Sequence, residues 1–143
     1  MLLIISSACK QQSKDKLSAD LVNNPNTANG NQDTSSLPKF QFENDIHDFG
    51  KVIEGEKLSY SFKFKNIGNS DLVIATANAS CGCTVPEFSK DPVHKGGEGI
   101  VTVTFNTAGK NGFQHKTVNL GANTQPNSYT LHIKAMVSSP ESN

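Results

Sequence analysis

The residues of this sequence whose types and spacing could do chemistry are Cys81 and Cys83, which lie two apart with Gly82 between them. On an extended strand, residues two apart point to the same face. A glycine between them lets the backbone bend and bring the flanking side chains closer. We therefore expect the two thiols to lie side by side on one strand. No other stretch of the chain offers comparable chemistry.

Four roles fit this spacing. The cysteines could be small apolar residues packed in a strand, with Gly82 marking a bulge. They could form a local disulfide, which export would allow, although an extended pair lies near the upper limit of Cα separation. They could bind Cu(I), a soft ion that accepts few ligands. They could include a catalytic thiol, which needs a partner histidine or asparagine.

Other chemistry has little support in the sequence. Zinc takes four ligands, or three and a water, and no histidine has ligand spacing to the cysteines among His47, His94, His115 and His132. The chain lacks a Gly-x-Ser-x-Gly elbow, a phosphate loop and a metalloprotease His-Glu motif. The sequence therefore predicts a non-catalytic protein without a zinc site.

Composition limits the partners. The 143 residues support one domain, and the 13 basic residues balance the 13 acidic ones. All basic residues are lysines, whereas recognition of phosphate and guanine depends mainly on arginine. The lysines at 63, 65, 110, 116 and 134 are spread along the chain, so we expect them to form a solvated surface rather than a nucleic-acid site.

The N-terminus points to export. Ser6, Ser7 and Ala8 precede Cys9 after a short apolar run, which resembles the end of a bacterial lipoprotein signal whose cysteine is lipidated. The run is too short for a complete signal and no basic residue precedes it, so we expect the true start upstream of Met1. Lipidation of Cys9 would also leave one cysteine pair. No acidic run follows Cys9, which by resemblance to known sorting signals favours the periplasmic side.

Composition then divides the chain into four parts. Residues 1–9 are the signal remnant, and the polar residues 10–38 cannot bury enough apolar surface to fold, so they predict a disordered tether. A domain follows at 39–137, and the tail 138–143 is expected to fray.

The domain alternates apolar and polar residues with a period of two, most clearly at 58–64. Strands are predicted at 40–42, 46–52, 58–64, 72–83, 101–105, 117–122 and 130–137, with Pro86 and Pro92 bracketing a loop. About seven strands in roughly 100 residues predict an all-β, immunoglobulin-like antiparallel sandwich, with a small barrel as the alternative. The usual inter-sheet disulfide is not available, because Cys81 and Cys83 lie on one predicted strand.

A family resemblance covers nearly all of the domain. The residues that carry it are Asp48-Phe49-Gly50, Glu54-Gly55-Glu56, Phe62-Lys63-Phe64-Lys65-Asn66-Ile67-Gly68, Leu72-Val73-Ile74 and Ala79-Ser80-Cys81-Gly82-Cys83-Thr84. This pattern is similar to the bacterial family named domain of unknown function 1573. The resemblance implies an immunoglobulin-like domain, related in shape to major sperm protein and cilium-associated modules, in an exported and lipid-anchored protein. It implies no established activity.

Two functional hypotheses follow. The first is a binding or structural module of the bacterial cell envelope, lipid-anchored through Cys9, that meets an unknown protein partner by loops or an edge strand. The second is a thiol-redox or Cu(I)-binding protein that uses Cys81 and Cys83, which would require accessible sulfurs.

Overall fold

The computed structural model describes residues 33–141. They form a short 3₁₀ helix, Thr34–Ser36, and eight strands: β1 Phe40–Phe42, β2 Ile46–Ile53, β3 Lys57–Asn66, β4 Ile74–Ala79, β5 Cys83–Phe88, β6 Glu98–Asn106, β7 Gly112–Ala122 and β8 Ser128–Ser138. The predicted signal remnant with Cys9, residues 10–32 of the predicted tether and the last two residues of the predicted tail lie outside the described residues. Within residues 33–141, no helix is long and apolar enough to cross a membrane.

The ordered domain starts before the predicted boundary at residue 39. Asp33 caps the 3₁₀ helix by accepting a hydrogen bond from the Ser35 N–H at 3.0 Å. The Leu37 carbonyl accepts the Asn69 N–H at 3.1 Å, and Pro38 is buried. The prediction of a disordered tether is therefore wrong over residues 33–38. Its polar composition does not show that a loop 30 residues further on fixes this segment.

The strands form two four-stranded sheets around one apolar core. Sheet A has the order β1-β3-β6-β5 and sheet B has the order β2-β8-β7-β4. The core is built from the inward-facing residues of the central strands, among them Phe62, Phe64, Val101, Val103, Phe105, Val118, Leu120, Leu131 and Ile133. The predicted all-β, immunoglobulin-like sandwich is confirmed, with eight strands in place of about seven.

One strand pair departs from the antiparallel prediction. The edge strand β2 pairs with β8 in parallel, whereas the other pairs of named strands are antiparallel. The alternation of apolar residues reports which face of a strand is buried and carries no information on the direction of its neighbour. The prediction of a wholly antiparallel sandwich is wrong at this edge for that reason.

The predicted strand over 72–83 is interrupted at the cysteine pair. Strand β4 ends at Ala79 in sheet B, and β5 begins at Cys83 in sheet A. A turn joins them, in which the Cys83 N–H donates to the Ser80 carbonyl at 3.0 Å and Gly82 has a φ of +90°. The expectation that both cysteines lie on one strand is therefore wrong, because the chain crosses between sheets at Cys81 and Gly82.

The predicted loop between Pro86 and Pro92 begins later than expected. Pro86 lies within β5, an edge strand whose register with β6 shifts between Thr84 and Glu87. A proline lacks the backbone N–H that a central strand needs, and edge strands and bulges tolerate its absence. The proline therefore marks an irregular edge rather than the end of the strand.

The Asp48-Phe49-Gly50 motif forms a bulge in β2. Asp48 Oδ1 accepts the Gly50 N–H at 2.8 Å, Gly50 has a φ of +71°, and the register with β8 shifts between Asp48 and Lys51. Phe49 packs against the core. A bulge of this kind re-aims side chains and disrupts an otherwise open strand edge, so the motif has a structural role.

The Glu54-Gly55-Glu56 motif forms the turn between β2 and β3. Glu56 Oε2 accepts the Ile53 N–H at 2.9 Å, and Gly55 has a φ of +94°. The buried Thr107 hydroxyl lies 2.9 Å from the carbonyl oxygens of Ile53 and Glu56. This contact fixes the turn to the end of β6.

The side-chain amide of Asn66 joins three backbone segments at the other end of the sandwich. Asn66 is fully buried. Its Nδ2 donates to the carbonyls of Ser70 at 2.7 Å and Val93 at 2.8 Å. Its Oδ1 accepts the N–H groups of Gly68 at 3.0 Å and Lys39 at 3.2 Å. All four polar contacts of the amide are satisfied inside the protein.

Replacing Asn66 with alanine should lower the free energy of unfolding by about 2–4 kcal/mol, because four hydrogen bonds are lost and buried backbone groups lose their partners. Urea denaturation measures the change. Asn78→Ala, at an exposed position of β4, is the matched control and should change the free energy by less than about 0.5 kcal/mol. Equal effects of the two substitutions would contradict the role given to Asn66.

Candidate functional site

The turn that carries Cys81 and Cys83 is fixed on both sides by backbone hydrogen bonds. The Ser80 N–H donates to the Thr117 carbonyl at 2.9 Å, and the Thr117 N–H donates to Ser80 Oγ at 3.0 Å. On the other side, the Asn106 N–H donates to the Gly82 carbonyl at 3.0 Å. The turn is therefore held against β7 of sheet B and β6 of sheet A.

The two thiols differ in exposure. Both are free cysteines; Cys81 is exposed, and Cys83 is half-buried against the apolar core. This difference follows from the turn, because only Cys83 belongs to a strand. The assignments of these residues to a disulfide or to a metal stay predictions.

Two lysines converge on the turn. A methyl group placed on Gly82 would lie 3.1 Å from Lys110 Cε and 3.7 Å from its Nζ, so the Lys110 side chain lies over the glycine. Lys116 directly precedes Thr117, which is hydrogen-bonded to Ser80. The positive charge of Lys116 acts on the Cys83 thiol. The sequence predicts these two lysines as part of a dispersed, solvated surface, and the packing of β5, β6 and β7 brings both of them to the turn. We call Cys81, Cys83, Lys110 and Lys116 the cysteine corner.

Burial controls the acidity of Cys83. Desolvation raises the pKa of this thiol from 9.0 to about 11, while the positive charges of Lys116 and Lys110 act in the opposite direction and Cys81 adds to the rise. The desolvation of the thiolate outweighs the two lysines. Cys83 is consequently a protonated thiol at neutral pH and a poor nucleophile.

The histidines make contacts of their own. His94 Nδ1 lies 2.8 Å from Asp71 Oδ1, and His115 Nε2 lies 3.0 Å from His132 Nδ1. His47 stacks on Tyr60 with ring centroids 3.6 Å apart, and burial lowers its pKa. Within residues 33–141, no three His, Cys, Asp or Glu side chains group as they would around a metal ion.

A second surface was not identified from the sequence. Phe113 of β7 and Met136 of β8 are cross-strand partners and are 62% and 42% exposed. Ile53 of β2, 50% exposed, lies diagonal to Met136 because its partner on β8 is Ser138. We call Phe113, Met136 and Ile53 the apolar strip. The predicted strand at 117–122 is shorter than β7, which begins at Gly112 and places Phe113 on the same face as His115 and Thr117.

The outer faces of the two sheets differ in chemistry. On sheet A, hydroxyl pairs join the strands, with Ser59 Oγ 2.7 Å from Thr104 Oγ1 and Ser61 Oγ 2.9 Å from Thr102 Oγ1. The exposed large apolar residues of the described chain are Ile46, Ile53, Ile67, Phe113 and Met136, and all but Ile67 lie on strands of sheet B. The asymmetry singles out the outer face of sheet B.

The fold defines an immunoglobulin-like domain of two packed sheets, and its sequence places it in a family. The chain belongs to the DUF1573 family of proteins of unknown function, whose pattern matches residues 40–137. A comparison with curated proteins finds no match.

Solved structures show the same fold. A protein of unknown function from Porphyromonas gingivalis W83 aligns with a TM-score of 0.63 at 14% identity, over 80% of this chain and 51% of that one. The chain thus spans about half the length of that protein. The secreted serine protease VesC of Vibrio cholerae aligns at 0.56 and 14% identity, over 73% and 24%. The PapD-like domain 7 of human CEP192 aligns at 0.54 and 12% identity, over 97% and 99%.

Maleimide should label Cys81 at least about tenfold faster than Cys83 in the folded chain, because Cys81 is exposed and Cys83 is half-buried and protonated. The Cys83→Ser and Cys81→Ser variants, each carrying Cys9→Ser, report the two rates separately by intact mass. The same measurement in denaturing urea is the control and should remove most of the difference. Equal rates in the folded variants would show that the corner does not protect Cys83.

Alkylation of Cys83 should depend on pH differently in the folded and unfolded chain. In the folded Cys9→Ser, Cys81→Ser variant the rate should keep rising to about pH 11, whereas in urea it should level off above about pH 9. The raised pKa means that the folded state holds the proton more tightly. Its contribution to stability is thus present below pH 9 and lost as the pH rises through 11. Coincident profiles would contradict the burial of the thiol.

Proposed function

We propose that this protein is a non-catalytic binding module of the bacterial cell envelope, anchored by a lipid on Cys9 and facing the periplasm. The Ser6-Ser7-Ala8-Cys9 sequence supports the anchor, because small residues before a cysteine resemble the end of a lipoprotein signal. Residues 10–32 connect this cysteine to the folded domain. The domain binds a protein partner on the outer face of sheet B.

The apolar strip carries this proposal. Phe113, Met136 and Ile53 lie on three neighbouring strands, β7, β8 and β2, at one end of the sheet, with Phe113 directly opposite Met136 and Ile53 diagonal to it. Polar and charged residues border it on the same face, including Lys51 opposite Met136 and His115 two residues beyond Phe113. An apolar patch with a polar rim is typical of a protein-binding surface.

The strip can supply the central contacts of an interface. Burying side chains of this size contributes roughly 1.5–3 kcal/mol each when they leave water, and only the excess over the entropy lost on association appears as affinity. Aromatic residues and methionine are enriched in such contacts. We therefore place Phe113, the most exposed of the three, at the centre of the interface.

The face of the sheet is a better binding surface than its β2 edge. The bulge at Asp48–Gly50 shifts the register of this edge strand, and a bulged edge is a poor template for an added strand. Phe113 and Met136 of the apolar strip, by contrast, lie on β7 and β8, which pair without a register shift.

Phe113→Ser should weaken binding of the partner at least about tenfold while leaving the fold intact, because an exposed aromatic residue contributes to binding and little to stability. A photoreactive phenylalanine analogue at position 113 first identifies the partner by crosslinking in cells. Titration of the purified partner with wild-type and variant protein then gives the change in dissociation constant.

Asn119→Ser is the matched control, on the same strand and face but away from the strip, and should bind as the wild type does. The Cys9→Ser variant tests the anchor by fractionation of the same cells. Without the lipid, the protein should leave the membrane fraction. Equal binding by Phe113→Ser and wild type would overturn the assigned surface. Membrane retention of Cys9→Ser would overturn the lipid anchor alone.

A further inference from the structure

We infer that the cysteine corner is a thiol–disulfide exchange site, in which exposed Cys81 forms a mixed disulfide with a small anionic disulfide and Cys83 resolves it. This activity is separate from partner binding on sheet B. The two cysteines, two lysines and their turn have the arrangement that such a reaction requires.

The first requirement is one accessible sulfur with a second held behind it. Cys81 is exposed in the turn, and Cys83 is half-buried at the start of β5. An incoming disulfide therefore meets Cys81 first. Access of this kind decides which sulfur reacts in thiol–disulfide exchange.

The second requirement is a backbone that lets the two sulfurs approach. Residues two apart on an extended strand are separated by about 6.6 Å, close to the limit of roughly 6.8 Å between the Cα atoms of a disulfide. Here Cys81 and Cys83 are part of a turn closed by the Cys83 N–H to Ser80 carbonyl hydrogen bond. This turn brings Ser80 and Cys83 together, and Gly82, with a φ of +90°, bends the backbone between the two cysteines away from the extended geometry of a strand.

The third requirement is a disulfide that can be reduced again. A disulfide between residues two apart closes a very short loop, so it constrains the unfolded chain little and contributes little to stability. Strained bridges have higher reduction potentials and belong to labile or regulatory sites. The hydrogen bonds of Ser80 with Thr117 and of Gly82 with Asn106 already hold the turn, so a bridge is not needed to keep it in place.

The lysines decide which reactant is favoured. Lys110 lies over Gly82 and the charge of Lys116 acts on Cys83, so the positive charge of the corner attracts an anionic disulfide. The same charges oppose the approach of a copper ion. The electrostatics therefore favour exchange with an anionic disulfide over binding of Cu(I).

The reaction balances with a disulfide such as glutathione disulfide as the oxidant. The Cys81 thiolate attacks one sulfur of the disulfide, the Cys81–glutathione bond forms, and one glutathione leaves as its thiolate. Cys83 then loses its proton to solvent and its sulfur attacks Cys81, which forms the Cys81–Cys83 bond and releases the second glutathione thiolate. Two cysteine thiols are oxidised and one disulfide is reduced to two thiols.

The burial of Cys83 slows the second step. Desolvation raises the pKa of this thiol to about 11, so little of it is thiolate at neutral pH. The mixed disulfide on Cys81 should therefore accumulate before the internal bond forms, and a more alkaline solution should accelerate its resolution.

The test uses the 143-residue chain carrying Cys9→Ser, incubated with glutathione disulfide, quenched with acid and analysed by intact mass. We expect a single glutathione adduct that converts to a species two hydrogens lighter than the reduced protein. With Cys83→Ser added, the adduct should persist. With Cys81→Ser added, adduct formation should be at least about tenfold slower. Circular dichroism and thermal melting confirm that each variant is folded.

A second measurement tests the lysines. Lys110→Gln and Lys116→Gln should each slow the reaction with glutathione disulfide roughly two- to fivefold and leave the reaction with the neutral hydroxyethyl disulfide unchanged. Lys63→Gln, on β3 of sheet A, is the control and should change neither rate.

The proposal is overturned if the folded protein forms no internal disulfide at any ratio of glutathione disulfide to glutathione, whether or not it retains Cu(I). Equal rates of glutathione adduct formation in the Cys81→Ser and Cys83→Ser variants would also overturn the proposal.

Discussion

The buried amide of Asn66 is the constraint on which this sandwich depends. It lies at the end of β3 and satisfies backbone groups of Lys39, Gly68, Ser70 and Val93. These groups belong to the segment before β1, the loop after β3 and the loop before β6. An unpaired polar group in this position would cost stability that no apolar neighbour could restore. One side chain therefore fixes the end of the domain where the chain enters.

Two other motifs of the sequence pattern act on the backbone in the same way. The aspartate of Asp48-Phe49-Gly50 holds a bulge, and Glu56 of Glu54-Gly55-Glu56 holds a turn that Thr107 fixes to β6. The cysteine turn differs from them. Its backbone is fixed by Ser80 and Gly82 through hydrogen bonds to neighbouring strands, and this leaves the Cys81 side chain exposed. The motif residue with the most reactive chemistry is the one that the fold leaves free.

The alternation of apolar and polar residues predicted the features that depend only on residues close in sequence, namely the positions of strands and their buried faces. The period of two over 58–64 and 130–137 located two central strands and their buried faces, including Phe62 and Ile133. The same period carried the prediction wrongly through Ala79 to Cys83, because a change of sheet leaves no trace in a pattern of two. The convergence of Lys110 and Lys116 on the cysteines could not be predicted, since it depends on the packing of distant strands. The first half of the site was visible in the sequence and its charged half was not.

The central claim is that the fold does not need the thiol of Cys81, which is therefore available for chemistry. The most direct measurement is the free energy of unfolding in urea of the chain carrying Cys9→Ser, with and without Cys81→Ser, under reducing conditions. We predict equal values within about 0.5 kcal/mol, as for the substitution of an exposed side chain. A loss of more than about 2 kcal/mol would show that Cys81 supports the fold and would contradict this account.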